Sequence, residues 1–275
     1  SLNVMLKKTK AEIDDADIEH FIRDVVCVMV DEVHMAKADV LKQLLTGVFA
    51  KVPMRFGLTG TIPKQDYEFT SLLCGLGPVI NKLSASELQD KGVLANCHVN
   101  IIQTQDFGQF PTYQNEVSYL TSNENRLGFI SNLIEEIRNS GNTLILVDRI
   151  KTGHLLEDLI VGGTFIQGKT KMEDRQEEYD EVATEQNKVL IATYGVAAVG
   201  INLPRIFNLV LVEPGKSFVR VIQSIGRGIR RAKDKDHVQI WDITSSCKFS
   251  KRHLTERKKF YKEAKYPYTI EKVNI

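Results

Sequence analysis

Short runs of apolar, often β-branched residues alternate along the chain with amphipathic helical stretches. The apolar runs predict eight strands, at Val25–Val30, Met54–Thr59, His98–Gln103, Thr143–Val147, Thr164–Gln167, Lys188–Thr193, Leu209–Glu213 and Val238–Asp242. The stretches between them predict helices at Ala38–Ala50, Arg126–Arg138, Gly153–Ile160, Met172–Ala183 and Phe218–Ile225. Continuously apolar strands separated by helices are typical of parallel sheets that are covered on both faces. The pattern therefore predicts an α/β fold.

The same alternation divides the chain into two α/β units. We expect a first domain over residues 1–105, a polar linker over 106–125, a second domain over 126–247, and a basic C-terminal helix and tail over 248–275. The strand at Val25–Val30 comes early, whereas a domain of this type normally has several strands before its carboxylate-bearing strand. The first domain is therefore predicted to be truncated at its N-terminus.

Length and composition are those of an ordinary globular protein with two domains. The chain has 275 residues, of which 43% are hydrophobic and 26% charged, and single cores usually stop growing below this length. No run approaches the roughly 20 apolar residues of a membrane span. The N-terminal SLNVMLKKTKAEIDD has no apolar segment after its lysines, unlike a signal peptide. These features predict a cytoplasmic protein with no membrane partner.

The four cysteines lie far apart in the sequence. They are Cys27, Cys74, Cys97 and Cys247. Because metal ligation by cysteines needs clustered ligands, this spacing predicts buried, reduced thiols rather than a cysteine metal site.

The net charge of +1 hides an uneven distribution of charge. Residues 216–275 carry 16 Lys and Arg against 6 Asp and Glu, while the rest of the chain carries 20 against 29. A basic block on an acidic body favours a polyanionic partner such as nucleic acid. A set of solvated helix faces would have the same charge.

A pair of acids follows the first apolar strand, in the segment VVCVMVDEVH. Asp31 and Glu32 stand where the strand ends, and open α/β sheets bind their ligands at the carboxyl ends of strands. One carboxylate can hold the Mg²⁺ that bridges phosphates, and the other can orient or deprotonate the attacking water. His34 starts the following helix and could report that state to a neighbouring element. A plain strand end capped by acids would have the same sequence.

Two further segments place small or hydroxylated residues after a strand. FGLTGTIP puts Thr59, Gly60 and Thr61 in a turn that can hydrogen-bond the carboxylates. KVLIATYGVAAVGINLP runs from a buried strand through Thr193 to Gly200–Asn202. Small residues there permit close backbone approach, either to a phosphate or to another segment of the chain.

A pair of arginines stands in the segment VIQSIGRGIRRAK, which has the pattern Q-x-x-G-R-x-x-R. Gln223, Arg227 and Arg230 lie on a predicted helix, and the two arginines, three residues apart, face the same side. Two guanidiniums aimed together suit a transferring γ-phosphoryl group, for which such an arginine contributes about 10³- to 10⁵-fold in rate. A solvated basic helix is the alternative interpretation.

Taken in this order, the four segments resemble those of superfamily 2 helicases and translocases. The resemblance extends from Val25 to Asp242. The Asp-Glu-x-His motif that ends at His34 resembles that of the DExH branch. The run at Ile191–Val196 and the Trp-Asp strand resemble phage UvsW-type branch-migration DNA helicases. The resemblance implies two RecA-like domains with ATP between them, a role in DNA recombination or repair, and a location in the cytoplasm of a bacterium or of a phage-infected host.

The resemblance also implies roles for the motif residues, with ATP and Mg²⁺ as cofactors. Asp31 matches the metal-binding acid and Glu32 the water-activating acid. His34 and the turn Thr59–Thr61 match the elements that couple hydrolysis to movement.

In the second domain, Gln223, Arg227 and Arg230 match the residues that reach the γ-phosphate. Gly200–Asn202 matches the segment that meets the nucleotide, and Thr193 the position that approaches the nucleic-acid backbone. The family often has Asp where this chain has Asn202, which weakens the case for a sugar contact there.

One segment, GGTFIQGKT, matches the phosphate-loop pattern letter for letter through Gly163, Gly168, Lys169 and Thr170. A phosphate loop follows a strand and curls so that its N–H groups converge on the phosphates. Here the variable positions 164–167 are themselves the predicted strand, Gly163 ends a helix and Gly168 begins a turn. We therefore expect no phosphate loop at this place.

The resembling proteins have their phosphate loop before the DExH strand, where residues 1–30 contain no G-K-T or G-K-S. The chain is therefore expected to be a fragment of a longer motor. Alone it should bind ATP weakly and not hydrolyse it.

Nucleic acid is the expected partner, bound through its phosphates and with little sequence dependence. Lys248–Tyr268 predicts a basic amphipathic helix. Candidate contacts on it are Lys251, Arg252, Lys258 and Lys259. Leu254 and Tyr261 could equally dock this helix on the second domain and leave its lysines solvated. No aromatic ladder for stacking single strands is evident, which favours duplex or branched DNA.

Three other functions fit parts of the sequence. An RNA helicase would have the same fold and motifs, so RNA is the second candidate partner. A non-catalytic nucleic-acid-binding module would fit a chain without a phosphate loop, although the intact acids and arginines argue against a decayed site. The motor of a restriction enzyme is the third, but no nuclease constellation is visible.

Overall fold

The computed structural model describes residues 20, 22–33, 42–60, 66–198, 203, 205–215, 230, 232 and 234–275. The chain divides into two compact units, which span residues 1–82 and 83–275. Each has its own parallel sheet. The predicted α/β class is confirmed.

The described part of the first unit is a small sheet with one long helix. Strand β1 (Cys27–Val30) pairs in parallel with β2 (Met54–Gly57). A π-helical turn (Leu44–Val48) lies between them in sequence, and helix α1 (Asp66–Leu76) follows. Val33 and Leu45 form the buried centre of this unit. Both predicted strands are present, and each is shorter than predicted.

The second unit is built on a seven-stranded, all-parallel sheet. Its strands are β3 (Asn96–Thr104), β4 (Thr143–Val147), β5 (Gly163–Ile166), β6 (Val189–Thr193), β7 (Asn208–Val212), β8 (His237–Ser245) and β9 (Tyr268–Val273), in the spatial order β5-β6-β4-β7-β8-β3-β9. The helices are α2 (Ala85–Asp90), α3 (Tyr113–Leu120), α4 (Glu124–Ile137), α5 (Ile150–Leu159), α6 (Met172–Thr184), α7 (Tyr194–Ala198) and α8 (Lys248–Glu263).

Both faces of this sheet are buried. Along β4, Leu144 and Leu146 point into one apolar cluster, whereas Ile145 and Val147 point into the other. Successive side chains of a strand point to opposite faces, so a strand covered on both sides has to be apolar at every position. This is the physical reason for the continuous apolar runs in the sequence.

Helix α4 illustrates how the helices cover the sheet. Its residues Ile130, Ile134 and Ile137 are buried at a spacing of three to four, which is one face of a helix. Asn123 caps the helix, since its side chain accepts a hydrogen bond of 3.0 Å from the amide of Arg126. Capping removes one of the unpaired amides at the helix start.

The predicted domain boundary at residue 105 is wrong in position. Strand β3 was expected to close the first domain, but it pairs with β8 over nine residues and with β9 on its other side. The boundary between the units lies at residues 82–83. An apolar run identifies a buried strand, but it carries no information about which sheet the strand joins.

The predicted linker and tail also contribute to the second unit. Within 106–125, helix α3 forms and buries Val117 and Leu120. The basic helix ends at Glu263, and the residues after it form β9 at the edge of the sheet. As the edge strand, β9 pairs on one side only, with β3, and its side chains are mostly exposed, so its sequence pattern gives little signal.

The cysteines differ in their exposure. Cys97 and Cys247 are buried, Cys27 is half-buried and Cys74 is exposed, so the expectation of four buried thiols is wrong for Cys74. Cys74 lies on α1, on a side that the described residues leave open to solvent. Across the described ranges, no group of three or more His, Cys, Asp or Glu could hold a metal ion. None of the helices described is long and apolar enough to cross a membrane.

Candidate nucleotide and nucleic-acid site

The two predicted motifs of the first unit meet at one edge of its sheet. The amide of Leu58 donates to the carbonyl of Val30 at 2.8 Å, and the amide of Val33 donates to the carbonyl of Leu58 at 3.0 Å. These bonds continue the parallel pairing of β1 and β2 beyond the strands. They place the acid pair and the turn that begins at Thr59 side by side at the carboxyl edge.

The acid pair has an unusual backbone. Glu32 adopts a φ of 49°, which is uncommon for a residue with a side chain. Its amide donates to Oδ1 of Asp31 at 2.8 Å, and both carboxylates are exposed. A left-handed residue at a strand end turns the chain sharply and is often found at functional sites.

These carboxylates fit a Mg²⁺–nucleotide complex. Mg²⁺ is usually held by one or two carboxylates, several waters and the phosphates of the substrate. Asp31 supplies one such oxygen pair on an open edge, and Glu32 follows it directly. Thr59 is half-buried beside them, and Gly60 is exposed.

Six of the predicted site residues lie outside the described part of the chain. They are His34, Thr61, Gly200, Asn202, Gln223 and Arg227. Their roles stay predictions.

In the second unit, Thr193 lies at the carboxyl edge of the sheet. It pairs in register with Val147, and its hydroxyl accepts a bond of 3.4 Å from the amide of Val196 at the start of α7. Arg149, two residues beyond Val147, was missed in the sequence. Its guanidinium donates to the side chain of Gln114 on α3 at 3.0 Å, so a cation stands at the edge that Thr193 occupies.

Arg230 is exposed, and its backbone is held in place. It forms an antiparallel bridge with Leu94, and its carbonyl accepts a bond of 3.0 Å from Nζ of Lys235. Lys235 is only 2% exposed, and burial lowers the pKa of its ammonium to about 8, with Asp234 opposing that change. A buried lysine thus supports the second arginine of the predicted motif.

The segment GGTFIQGKT is a strand and a turn, as predicted. Its residues Gly163–Ile166 form β5. The carbonyls of Gln167 and Gly168 accept bonds of 3.0 and 2.7 Å from Arg175 on α6. The glycine with a left-handed backbone after the preceding helix is Gly162, with a φ of 70°, and not the predicted Gly163. The turn presents carbonyls to a cation, which is opposite to what a phosphate needs.

A buried ionic cluster lies at the carboxyl end of β7. Glu213 has a φ of 42°, and its carboxylate pairs with Arg126 at 2.5 Å and accepts from the hydroxyl of Ser250 at 3.1 Å. Both charged side chains are at most 5% exposed. Burial raises the pKa of the Glu213 carboxyl, and the guanidiniums of Arg126 and Arg257 oppose the rise.

A second buried pair anchors the C-terminal helix. Nε and Nη2 of Arg257 donate to the two carboxylate oxygens of Asp242 at 2.8 and 2.9 Å. The hydroxyl of Tyr261 donates to the same carboxylate at 2.8 Å, and Arg257 also donates to the carbonyl of Gly215 at 2.7 Å. Gly215 directly precedes the segment that carries Gln223.

The C-terminal helix docks and exposes cations at the same time. Leu254 and Tyr261 are 5% and 0% exposed against the sheet. The candidate cations point outward: Lys251, Arg252 and Lys259 are exposed and Lys258 is half-buried. Lys259 pairs with Glu256 at 2.8 Å. The two alternatives left open by the sequence are therefore compatible.

Part of this chain is similar to a known protein family. Residues 125–232, which lie in the second unit, match the family described as "Helicase conserved C-terminal domain". Together with its relatives, this match confirms the predicted resemblance to superfamily 2 helicases.

The particular relatives are viral. The ATP-dependent DNA helicase UvsW of Enterobacteria phage T4 is 22% identical over 90% of this chain and 54% of its own length. A relative from Sulfolobus islandicus filamentous virus is 25% identical over 82% of this chain and 44% of its own length. The chain thus spans about half the length of the curated relatives it matches.

Solved structures share the fold. The crystal structure of T4 UvsW superposes with a TM-score of 0.57 at 19% identity, over 99% of this chain and 57% of that one. Dbp5 of S. cerevisiae, bound to RNA and ADP BeF3, superposes with a TM-score of 0.59 at 16% identity, over 94% of this chain and 63% of that one. At these identities the likeness shows the fold alone.

Proposed function

We propose that this chain is part of an ATP-dependent DNA helicase or translocase that acts on duplex or branched DNA in recombination or repair. The observation that carries the proposal is the meeting of the Asp31–Glu32 turn with the Leu58–Gly60 turn at one carboxyl edge, through the two backbone hydrogen bonds of 2.8 and 3.0 Å. The helicase C-terminal domain over residues 125–232 supports it.

Each residue of the first unit has a defined task in this proposal. ATP with Mg²⁺ supplies the phosphoryl group when bound. Asp31 holds the metal through its carboxylate, and Glu32 takes the proton of the attacking water or orients it. Thr59 lies beside them, where its hydroxyl can bond a carboxylate oxygen and pass the change in the site to the following residues.

The second unit contributes cations. The predicted motif places Arg227 and Arg230 on the γ-phosphate, where they stabilise the charge that develops during transfer. Arg230 is exposed, and its backbone is fixed by Leu94 and Lys235. A fixed backbone reduces the entropy that is lost when the guanidinium meets its target.

DNA is the proposed partner because one relative, UvsW of Enterobacteria phage T4, is named as a DNA helicase. The exposed cations Lys251, Arg252 and Lys259, together with Arg149 and Thr193, supply contacts that read the backbone only. We place the protein in the cytoplasm, where a phage or bacterial helicase meets its DNA.

The test compares substrates in one series. The chain, together with any residues that precede Ser1 in its gene, is assayed for ATP hydrolysis and strand separation with duplex DNA, a four-way DNA junction and duplex RNA of equal length. We expect hydrolysis to be stimulated by DNA and branch migration to be the favoured reaction. A plot of the logarithm of affinity against the logarithm of salt concentration should be linear, with a slope of about −0.9 for each phosphate contacted.

Other outcomes would redirect the proposal. Preference for the RNA duplex in both assays would favour the RNA helicase. Salt-dependent binding without nucleotide hydrolysis on any substrate would favour a non-catalytic binding module.

A further inference from the structure

An aromatic pocket lies on the second unit where the start of α3 meets the first turns of α8. It has a volume of about 590 Å³ and is lined by Tyr113, Phe249, Arg252, His253, Thr255 and Glu256. We call it the Tyr113 pocket. Its volume is in the range of sites that take small molecules or parts of larger ligands.

Three rings are packed together in the pocket. The ring centroids of Tyr113 and His253 are 4.7 Å apart at an interplanar angle of 74°, and those of Tyr113 and Phe249 are 6.2 Å apart at 60°. Edge-on contacts of this kind are favourable for aromatic rings. The contacts with His253 and Phe249 hold the Tyr113 ring in one orientation. A ligand that stacks on this ring therefore does not have to immobilise the ring first.

The charge around the pocket is positive. Lys248, Lys251 and Arg252 are exposed on the first turns of α8, and no acid occurs between residues 248 and 255. Nζ of Lys248 lies 5.6 Å from the centroid of the Phe249 ring. The acid on the rim, Glu256, is paired with Lys259.

The amides at the start of α8 are already used. The carboxylate of Glu116, which is fully buried, accepts bonds of 3.0 and 2.7 Å from the amides of Phe249 and Ser250. An anion near the pocket would therefore be bound by the lysine and arginine side chains. Separated cations beside an aromatic platform suit a phosphodiester chain with a base attached.

The helix that contributes Tyr113 to the pocket also contacts residues at the carboxyl edge. Tyr113 is the first residue of α3, and Arg149 contacts Gln114 on the same helix. The hydroxyl of Tyr113 lies 3.1 Å from where a Cβ on Gly215 would stand. One short helix thus connects the pocket to the edge that bears Thr193.

We propose that the Tyr113 pocket receives one unstacked base of a single-stranded nucleic acid, with the base on the Tyr113 ring and the adjoining phosphate on Arg252. Bases within a duplex present only their edges, so the occupant has to be single-stranded. Stacking is tolerant of base identity because every base has a π-face. This inference rests on the proposed function. It adds that the bound nucleic acid includes a single-stranded segment.

The experiment uses the 275-residue chain and a short single-stranded oligonucleotide that contains 2-aminopurine, whose fluorescence is quenched on stacking. Tyr113→Leu should weaken single-strand binding by about 5- to 150-fold, the effect of losing one stacked base. It should also abolish the quenching, while affinity for a blunt duplex of equal length changes less than twofold. Tyr113→Phe should behave as the wild type.

Tyr119→Leu is the matched control. Tyr119 lies on the same helix, is 36% exposed and packs on Phe110 at 5.0 Å, outside the pocket. It should leave both affinities unchanged. Arg252→Gln, at an exposed site, should fold normally and lower the salt dependence of single-strand binding by about one phosphate contact.

DNA and RNA versions of the oligonucleotide identify the source of the strand. If Tyr113→Leu lowers the affinity for single strand and duplex equally, or leaves the fluorescence quenching unchanged, the proposed role of the pocket is wrong. The proposed function would still stand. Absence of binding to any nucleic acid by the wild type would instead overturn the proposed function.

Discussion

Two glutamates in this protein stand just after a parallel strand and have opposite surroundings. Glu32 follows β1 and Glu213 follows β7, and both have a left-handed backbone, with φ angles of 49° and 42°. Glu32 is exposed at an open edge, whereas Glu213 is buried against Arg126. The local turn is therefore common to both, and the surroundings decide whether the carboxylate is available to a ligand.

The buried glutamate is part of the scaffold. Arg126, Ser250 and Glu213 tie α4, α8 and β7 together at the edge where ligands bind in such sheets. The exposed glutamate, Glu32, lies at the solvent-facing edge of its sheet. A carboxylate at a strand end is thus evidence for chemistry only when no buried guanidinium neutralises it.

The largest expected effect is on nucleotide hydrolysis. Glu32→Gln in the ATPase-competent protein should lower the rate of hydrolysis by about 10²- to 10⁴-fold, because the amide cannot take a proton. ATP binding, measured by a fluorescent nucleotide, should change little. The free energy of unfolding should stay within about 0.5 kcal/mol, since the side chain is exposed. A large loss of stability would show that Glu32 resembles Glu213 after all.

The next effect is on stability. Arg126→Met should lower the free energy of unfolding by about 3–5 kcal/mol in urea denaturation, because it leaves the Glu213 carboxylate buried without its partner. Lys259→Met, which breaks the exposed pair with Glu256, should change it by less than about 1 kcal/mol. Replacing both members, with Arg126→Met and Glu213→Leu, should recover part of the loss. A loss below about 1 kcal/mol for Arg126→Met would mean that the cluster is not a structural anchor.

The smallest effect depends on pH and concerns Lys235, a buried cation that bonds a carbonyl. Burial lowers its pKa to about 8 in the folded protein, below the 10.5 usual for a lysine. Between these values the unfolded chain binds more protons than the folded one, so stability should rise with pH. Relative to Lys235→Met, the wild type should gain about 1–3 kcal/mol from pH 7.5 to 10.5. The free energy of unfolding of the wild type and of Lys235→Met is measured against pH in denaturant. Two curves that run parallel would contradict this prediction.

The local elements could be predicted from the sequence because their signals are local. All eight predicted strands are present, and four of the five predicted helices fall at least partly in the described residues and are helical there. Buried strands need continuous apolar runs, and covering helices need apolar residues at a spacing of three to four. The same reasoning identified β5 within GGTFIQGKT, where motif letters alone would have indicated a phosphate loop.

The candidate site could be predicted only in part. The order of the motifs identified Asp31, Glu32 and Thr59, and the structure brings them to one edge. Arg149 and the Tyr113 pocket were missed, because their partners come from distant parts of the chain. Tyr113 and Phe249 are single aromatic residues in unrelated helices, and no periodic pattern connects them.

The sequence by itself determined the secondary structure and the parallel α/β class, because each depends on neighbouring residues, and it predicted which acids and arginines form the site. Only the tertiary structure decided that β3 joins the second sheet and that Glu213 is neutralised by Arg126. It also decided that Tyr113, Phe249 and His253 share a pocket. These outcomes depend on which surfaces meet when the chain packs, and a local pattern does not specify the partner of a surface.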